Sequence, residues 1–320
     1  MASPAEVSWA DQSTLAARGI KIGRLDPALA GIEHYLASIR NGWKQAEADP
    51  ATGAVWSADH DAMTAIMRAA LADRLTDRLR ESGTTMCATA DGESDGLLEI
   101  LRTRPGFVLT TSHGALPDSQ DPAATLGVPC DKHLNPLDVD AVVDAAPGGA
   151  LWMIQACNSA GSTRPSVFAP LYADEPGDQV LGWLQEVERS APLVAPLPNA
   201  LLGSDRPARG VIAQVELTFD WMLVELDDWA ALPTGRPLTD TLITGIENVI
   251  AGDPAGTALV DHQNDASGFM QQRLQEQIAW NGDGEGDAES THLWKAFWYD
   301  LVARNRRATV LLGDPAVAFT

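Results

Sequence analysis

The stretch FVLTTSHGA, residues 107–115, runs apolar and β-branched and then stops at a His-Gly pair. The pattern recurs as ALWMIQACNSAG, residues 150–161, which stops at Cys157. Short apolar runs rich in β-branched residues and bounded by turn residues read as buried strands. A helical crossover between two such strands makes them parallel neighbours. Ligands of a parallel α/β sheet sit outside the carboxyl ends of its strands. If 106–112 and 150–156 are adjacent, His113 and Cys157 emerge at the same rim.

Working outward, further strands are expected at 18–24 (RGIKIGR), 54–58 (AVWSA), 84–90 (TTMCATA), 210–217 (GVIAQVEL) and 308–312. Between the second and third, Met63, Ile66, Met67, Ala70, Leu71, Leu75 and Leu79 form one apolar helical face, and Gly83 stops it. A shorter helix near 92–103 links the third and fourth strands. Alternating strands and helices place the chain in the α/β class. Residues 162–208 are rich in Pro and Gly and read as a long ordered loop with one short helix, a setting that is usually functional. The last third turns helical, at 219–229, 238–251, 266–280 and 291–305. NGDGEGDAE, 281–289, reads as a solvated linker. Its acids alternate as in a calcium loop, but the twelfth position from Asp283 is Trp294 rather than a bidentate Glu.

The 320 residues are enough for one large domain. Forty-four acids against twenty-two bases give a net charge of −22. That balance disfavours nucleic acid and anionic membrane as partners, since both need clustered Lys and Arg. Three cysteines without a C-x-x-C indicate neither a disulfide framework nor a zinc knuckle. Neither a leader segment nor a membrane-length apolar run is evident, so a cytoplasmic location is the expectation.

The chemistry follows from the two strand ends. A thiol within reach of an imidazole is held as thiolate, the nucleophilic form, and the imidazole can then protonate a leaving amine. Gly114 lets the backbone N–H beside His113 approach a substrate oxygen. With the N–H of Cys157 it forms an oxyanion hole, worth about 3–4 kcal/mol per donor. Taken singly, a Cys after an apolar strand is a small buried hydrophobe and a His at a strand end is a satisfied polar group. Their pairing, in this order and 44 residues apart, is what points to catalysis.

Ile154-Gln155-Ala156-Cys157 resembles the caspase signature around the nucleophile, whose His lies about 50 residues upstream. Asn158-Ser159-Ala160-Gly161 is more similar to the bacterial CHAT and gingipain-like branch of these clan CD cysteine peptidases. GIKIGRLDPALAGIEHYLASI resembles the strand-Gly-Arg-helix entry of gingipain-like domains, PNALLGSDRPARGVIAQVELTFDW their strand after the nucleophile, and THLWKAFWYDLVARNRRATVLLGDPAVAF their closing helix and terminus. The resemblance covers about residues 15 to 320. It implies one caspase-like domain, a three-layer α/β/α sandwich with a mostly parallel central sheet. Residues 1–14 would be an extension, 162–208 an active-site or activation loop, and 219–305 the helical C-terminal part.

The same resemblance implies His113 as base and proton donor, Cys157 as nucleophile, and Gly114 with Cys157 as oxyanion donors. Gln155 matches the caspase glutamine of the pocket for the residue before the scissile bond. The strand 210–217 matches the one along which substrate peptides add as an extra strand. Where the caspase pattern is Ser-Trp-Arg this chain has Gln214-Val215-Glu216, so an acid replaces the arginine and a basic Arg or Lys substrate residue is expected. Asp59, at the mouth of the second strand, is a further pocket acid. No metal or organic cofactor is required. Protein or peptide is the expected substrate, with an activating protein partner and a role as an antiviral defence or cell-death effector in the pattern of bacterial relatives. Arg164, Arg189 and Arg206 sit in loop-like settings within 162–208, which leaves self-cleavage there an open hypothesis.

Two rival functions stay open. One is a catalytically silent caspase-fold scaffold for peptides or proteins; His113-dependent labelling of Cys157 by a thiol probe separates it from an enzyme. The other, a small-molecule α/β hydrolase or transferase, lacks G-x-S-x-G, G-x-x-x-x-G-K-[ST] and G-x-G-x-x-G.

Overall fold

The computed structural model describes residues 21–25, 30–117, 121–172, 179–190, 193–219, 222–225, 235–283 and 287–319. Its strands are β1 (Asp49–Ser57), β2 (Thr85–Thr89), β3 (Pro105–Thr111), β4 (Leu151–Gln155), β5 (Gly161–Ser162), β6 (Leu193–Val194), β7 (Gly210–Gln214) and β8 (Thr309–Gly313). Six of them form one sheet in the order β2-β1-β3-β4-β7-β8. The first five run parallel and β8 closes the edge antiparallel to β7.

Residue type explains which strands are covered on both faces. Every residue of β3, β4, β7 and β8 is buried, as strands covered on both faces require. The edge strand β2 has no fully buried residue, only exposed and half-buried ones. Helices Ile32–Arg40, Ser94–Leu101, Val139–Ala145 and Pro196–Gly203 pack together as one layer. The run from Ala62 to Glu81 and helices Asp240–Ile250, Val260–Asp283 and Asp287–Ala308 form the other. Right-handed crossovers sort them: β1 to β2 steps one way across the sheet, and β2 to β3 to β4 steps the other, onto the opposite face. The result is a mixed α/β sandwich of three layers.

The run 62–81 is helical as expected but changes hand-hold midway. A π-helical segment, Arg68–Asp73, joins Ala62–Met67 to Arg74–Glu81. Met67 and Ala70 pack with Leu223 and Val224, whereas Leu71, Leu75 and Leu79 enter the main core. The extra residue per turn lets one helix serve both clusters.

Four expectations are corrected. Residues 162–208 are not mainly loop: they carry the β5–β6 ribbon and helices Ala169–Tyr172, Gln179–Ser190 and Pro196–Gly203. Pro196 occupies the first helical turn, where a missing N–H costs nothing. The helix expected at 219–229 lies partly outside the described residues; within 222–225 the chain makes a turn and then an isolated bridge, Val224 pairing with Pro237. Within 281–289, helix Val260–Asp283 extends through the first three residues and helix Asp287–Ala308 begins at 287, so both helices exceed the expected bounds. Of the strand expected at 18–24, residues 21–24 are described, and they make only a bridge from Arg24 to Leu312. Residues 1–14 lie outside the described residues. No described helix is long and apolar enough to cross a membrane.

Candidate active site

The register of β3 on β4 pairs Thr111 with Gln155. One step further, Ser112 N–H donates to the Gln155 carbonyl at 3.2 Å. Both chains then leave the sheet at the same carboxyl rim, carrying His113 and Cys157. The His113–Ala115 segment is held from its other side: Cys130 N–H donates to His113 O (2.9 Å) and Ala115 N–H to Val128 O (2.8 Å). Those two bonds flank the Gly114–Pro129 bridge, so the Gly114 N–H points away from that partner. It points at the Cys157 sulfur, as do the N–H groups of Thr218 and of Cys157 itself.

Asn158 follows the sulfur at φ 53°, a left-handed conformation that Asn tolerates. Its amide donates to Gly161 O and Val215 O, both at 3.3 Å. Its N–H donates to Glu216 O at 3.0 Å, and Ser159 Oγ donates to Ile154 O at 2.8 Å. The turn that presents Cys157 is therefore fastened to both β4 and the exit of β7.

The sulfur is half-buried, and burial pushes its thiol above the ordinary range; the three N–H groups act in the opposite direction. Its S–H donates to Thr218 O at 3.5 Å, while Thr218 N–H approaches at 3.4 Å. No hydrogen bond joins it to His113. The imidazole is instead oriented by Asp61, with Nε2 and Oδ2 3.0 Å apart. Burial raises the Asp61 carboxyl, but bonds from Thr64 N–H, His113 and the Thr64 hydroxyl outweigh it and leave it below the ordinary range. Beside this pair the His60 ring lies 5.1 Å from the His113 ring. Burial first, and the neighbouring His113 second, depress His60 below the ordinary imidazole range.

Asp61 and His60 were not singled out from the sequence. Their signal is the Asp59-His60-Asp61 run at the end of β1, next to β3 in the sheet, followed by Thr64 at capping-box spacing.

The pocket residues are placed differently from expectation. Gln155 is buried and donates to Thr218 Oγ1 at 2.9 Å, beneath the nucleophile turn. Gln214 is buried against β8, bonded to Thr309 Oγ1 at 2.9 Å. Glu216 is 2% exposed, and its two oxygens accept from Ser166 Oγ (2.7 Å) and Val167 N–H (2.8 Å). Desolvation pushes it up to about 7. It anchors the segment after the nucleophile, together with Glu188, which accepts from Ser166 N–H, and Arg304, which donates to Val167 O. Asp59 is half-buried and ion-paired to Arg68 at 2.6 Å. Strand β7 is flanked by β4 and β8, so no substrate strand can add to residues 210–214. Arg206, bonded to Glu47 and Asp144 O, sits at the amino rim, on the wrong side of the sheet for self-cleavage. Among the described residues no three His, Cys, Asp or Glu side chains converge as a metal site.

No family model matches this chain. No curated protein matches it either. Among solved structures it is similar to the Arg-specific cysteine proteinase gingipain R, at 11% sequence identity and a TM-score of 0.46. That superposition covers 93% of this chain and 55% of the proteinase, so this chain spans about half of that protein's length.

Proposed function

We propose that this chain is a cysteine endopeptidase of caspase-like type, of the bacterial CHAT or gingipain-like branch, cutting after Arg or Lys. One observation carries the reading: adjacent parallel strands deliver His113 and Cys157 to one rim, with the Gly114 and Cys157 N–H groups aimed at the sulfur. For reaction the thiol turns from Thr218 O toward the imidazole. With Nε2 on Asp61, the Nδ1 nitrogen takes the thiol proton. The thiolate attacks the peptide carbonyl carbon, and the oxygen takes up negative charge in the two N–H donors. His113 then gives its proton to the departing amine, leaving an acyl-enzyme. Water, deprotonated by His113, releases the acid and restores the thiol.

The basic preference is supported by the net charge of −22; Asp59 and Asp61, at the carboxyl rim, are already engaged by Arg68 and His113. A second reading, a silent peptide-binding scaffold, is favoured by the Cys157 thiol bonding Thr218 rather than His113. Fluorogenic peptides and an arginyl chloromethyl ketone separate them. The enzyme cleaves an Arg peptide and not an Asp peptide, and the ketone alkylates Cys157 in a manner abolished by His113→Ala. Cleavage after Asp alone removes the basic preference; no cleavage, with His113-independent labelling, leaves the scaffold.

A further inference from the structure

We propose that Thr64 is a positioning residue of this active site, setting through a helix cap the orientation in which Asp61 meets His113. Asp61 is both the N-cap of helix Ala62–Met67 and the partner of the imidazole. Its Oδ1 accepts from Thr64 N–H at 3.0 Å, which leaves Oδ2 for His113 Nε2. The Thr64 hydroxyl, 1% exposed, accepts from the N–H of His60 at 2.8 Å and of Asp61 at 3.1 Å. One buried threonine thus fixes the backbone of the two-residue segment and the torsion of the carboxylate together.

Without that grip an Asp side chain 49% exposed would sample several rotamers and hold the imidazole only part of the time. The neighbouring contacts complete the seat. Asp59 and Arg68 pin the start of the segment, and the His60 ring walls one side of His113. His113 from the β3 exit and His60 from its own loop are the charged or titratable groups closest to Asp61, and Asp131 and the Lys132 backbone face His60. Because preorganised orientation is what a base supplies beyond its chemistry, loosening Thr64 should cost rate rather than binding.

Thr64→Val keeps the β-branch and the N–H but removes the hydroxyl; Thr64→Ser restores it, and Thr64→Ala is a second lesion if valine does not fold. The experiment measures, on the full chain, the low-field NMR resonance of the imidazole N–H bonded to Asp61, hydrolysis of an Arg peptide, and Tm. Resting on the peptidase reading, Thr64→Val should lower kcat by about tenfold at unchanged KM, the rate equivalent of one lost cap. The resonance should be lost as in Asp61→Asn, and Thr64→Ser should rescue both it and kcat. A Thr64→Val protein with the resonance intact and kcat unchanged overturns the proposal, as does a Tm loss that serine repairs while kcat stays low. If the wild type cleaves no peptide, the peptidase reading fails on its own, and the resonance in Thr64→Val still decides the role of Thr64.

Discussion

Gly114 lies flat against Cys157: a Cβ on Gly114 would stand 2.1 Å from the Cys157 carbonyl oxygen and 3.0 Å from its nitrogen. Both obstacles are backbone, so no rotamer change relieves them. Gly114→Ala should push the β3 exit away from the nucleophile turn and displace an oxyanion donor, lowering kcat about 10²–10³-fold. Gly268→Ala is the matched control, since nothing lies within 4 Å of its added methyl in helix Val260–Asp283. Helix propensity there favours alanine by about 1 kcal/mol, and Tm should rise slightly. Equal peptidase activity in the two variants would contradict the packing argument.

Asp61→Asn tests the orientation of the base. Asparagine can still accept from Thr64 N–H, so the helix cap survives. What changes is the partner of His113 Nε2: a neutral amide replaces a carboxylate, and it can present a donor to a nitrogen that needs an acceptor. The expected result is a fall in kcat of about 10²-fold or more with KM retained, as for any base deprived of its orienting acid. Wild-type kcat in this variant would show that the imidazole is oriented by something else.

The sheet was legible because burial on both faces dictates residue type. Runs such as GFVLTT and LWMIQ admit few alternatives, and the order His113 then Cys157 followed from where those runs stop. Asp61 was not legible. Its role depends on β1 lying beside β3, a register that no local pattern encodes. Glu216 and Gln214 misled for a related reason. Alternation along 210–217 marks residues as facing one side or the other, but not that the Ser166–Phe168 segment seals Glu216 or that Gln214 is tied to Thr309 of the neighbouring β8. The 162–208 region misled because Pro and Gly were read as breakers, whereas Pro196 opens a helix.

Phe168 is fully buried in a satellite cluster with Leu184, Leu217 and Phe219, and the Cys157 side chain packs against that cluster. Phe168 and Phe219 meet edge-to-face at 6.4 Å. Phe168→Ala should remove about 3–5 kcal/mol of packing from this segment. Because the cluster is separate from the main core, the loss should open the segment locally rather than unfold the sheet. Cys157 should then alkylate faster with iodoacetamide than in the wild type, while the rate at Cys87 on the edge strand stays the same. An unchanged Cys157 rate would mean that Phe168 does not cover the sulfur.

Glu216 ties stability to pH in a calculable direction. Its carboxyl is pushed up to about 7 by desolvation, while bonds from Ser166 and Val167 lower it and Glu188 raises it. The folded chain therefore holds this proton over a range, about pH 4.5 to 7, in which the unfolded chain has released it. The stability from this group is full below the ordinary carboxyl range and is lost as pH rises through 7. Two and a half pH units of mismatch correspond to about 3 kcal/mol. Glu216→Gln keeps an acceptor for Val167 N–H and offers a donor to Ser166 Oγ, so the segment can stay anchored without a titrating group. Its Tm should fall less steeply than the wild type's between pH 5 and pH 8, and exceed it at the upper end. Parallel Tm curves for the two proteins would show that the buried carboxyl does not titrate in this range.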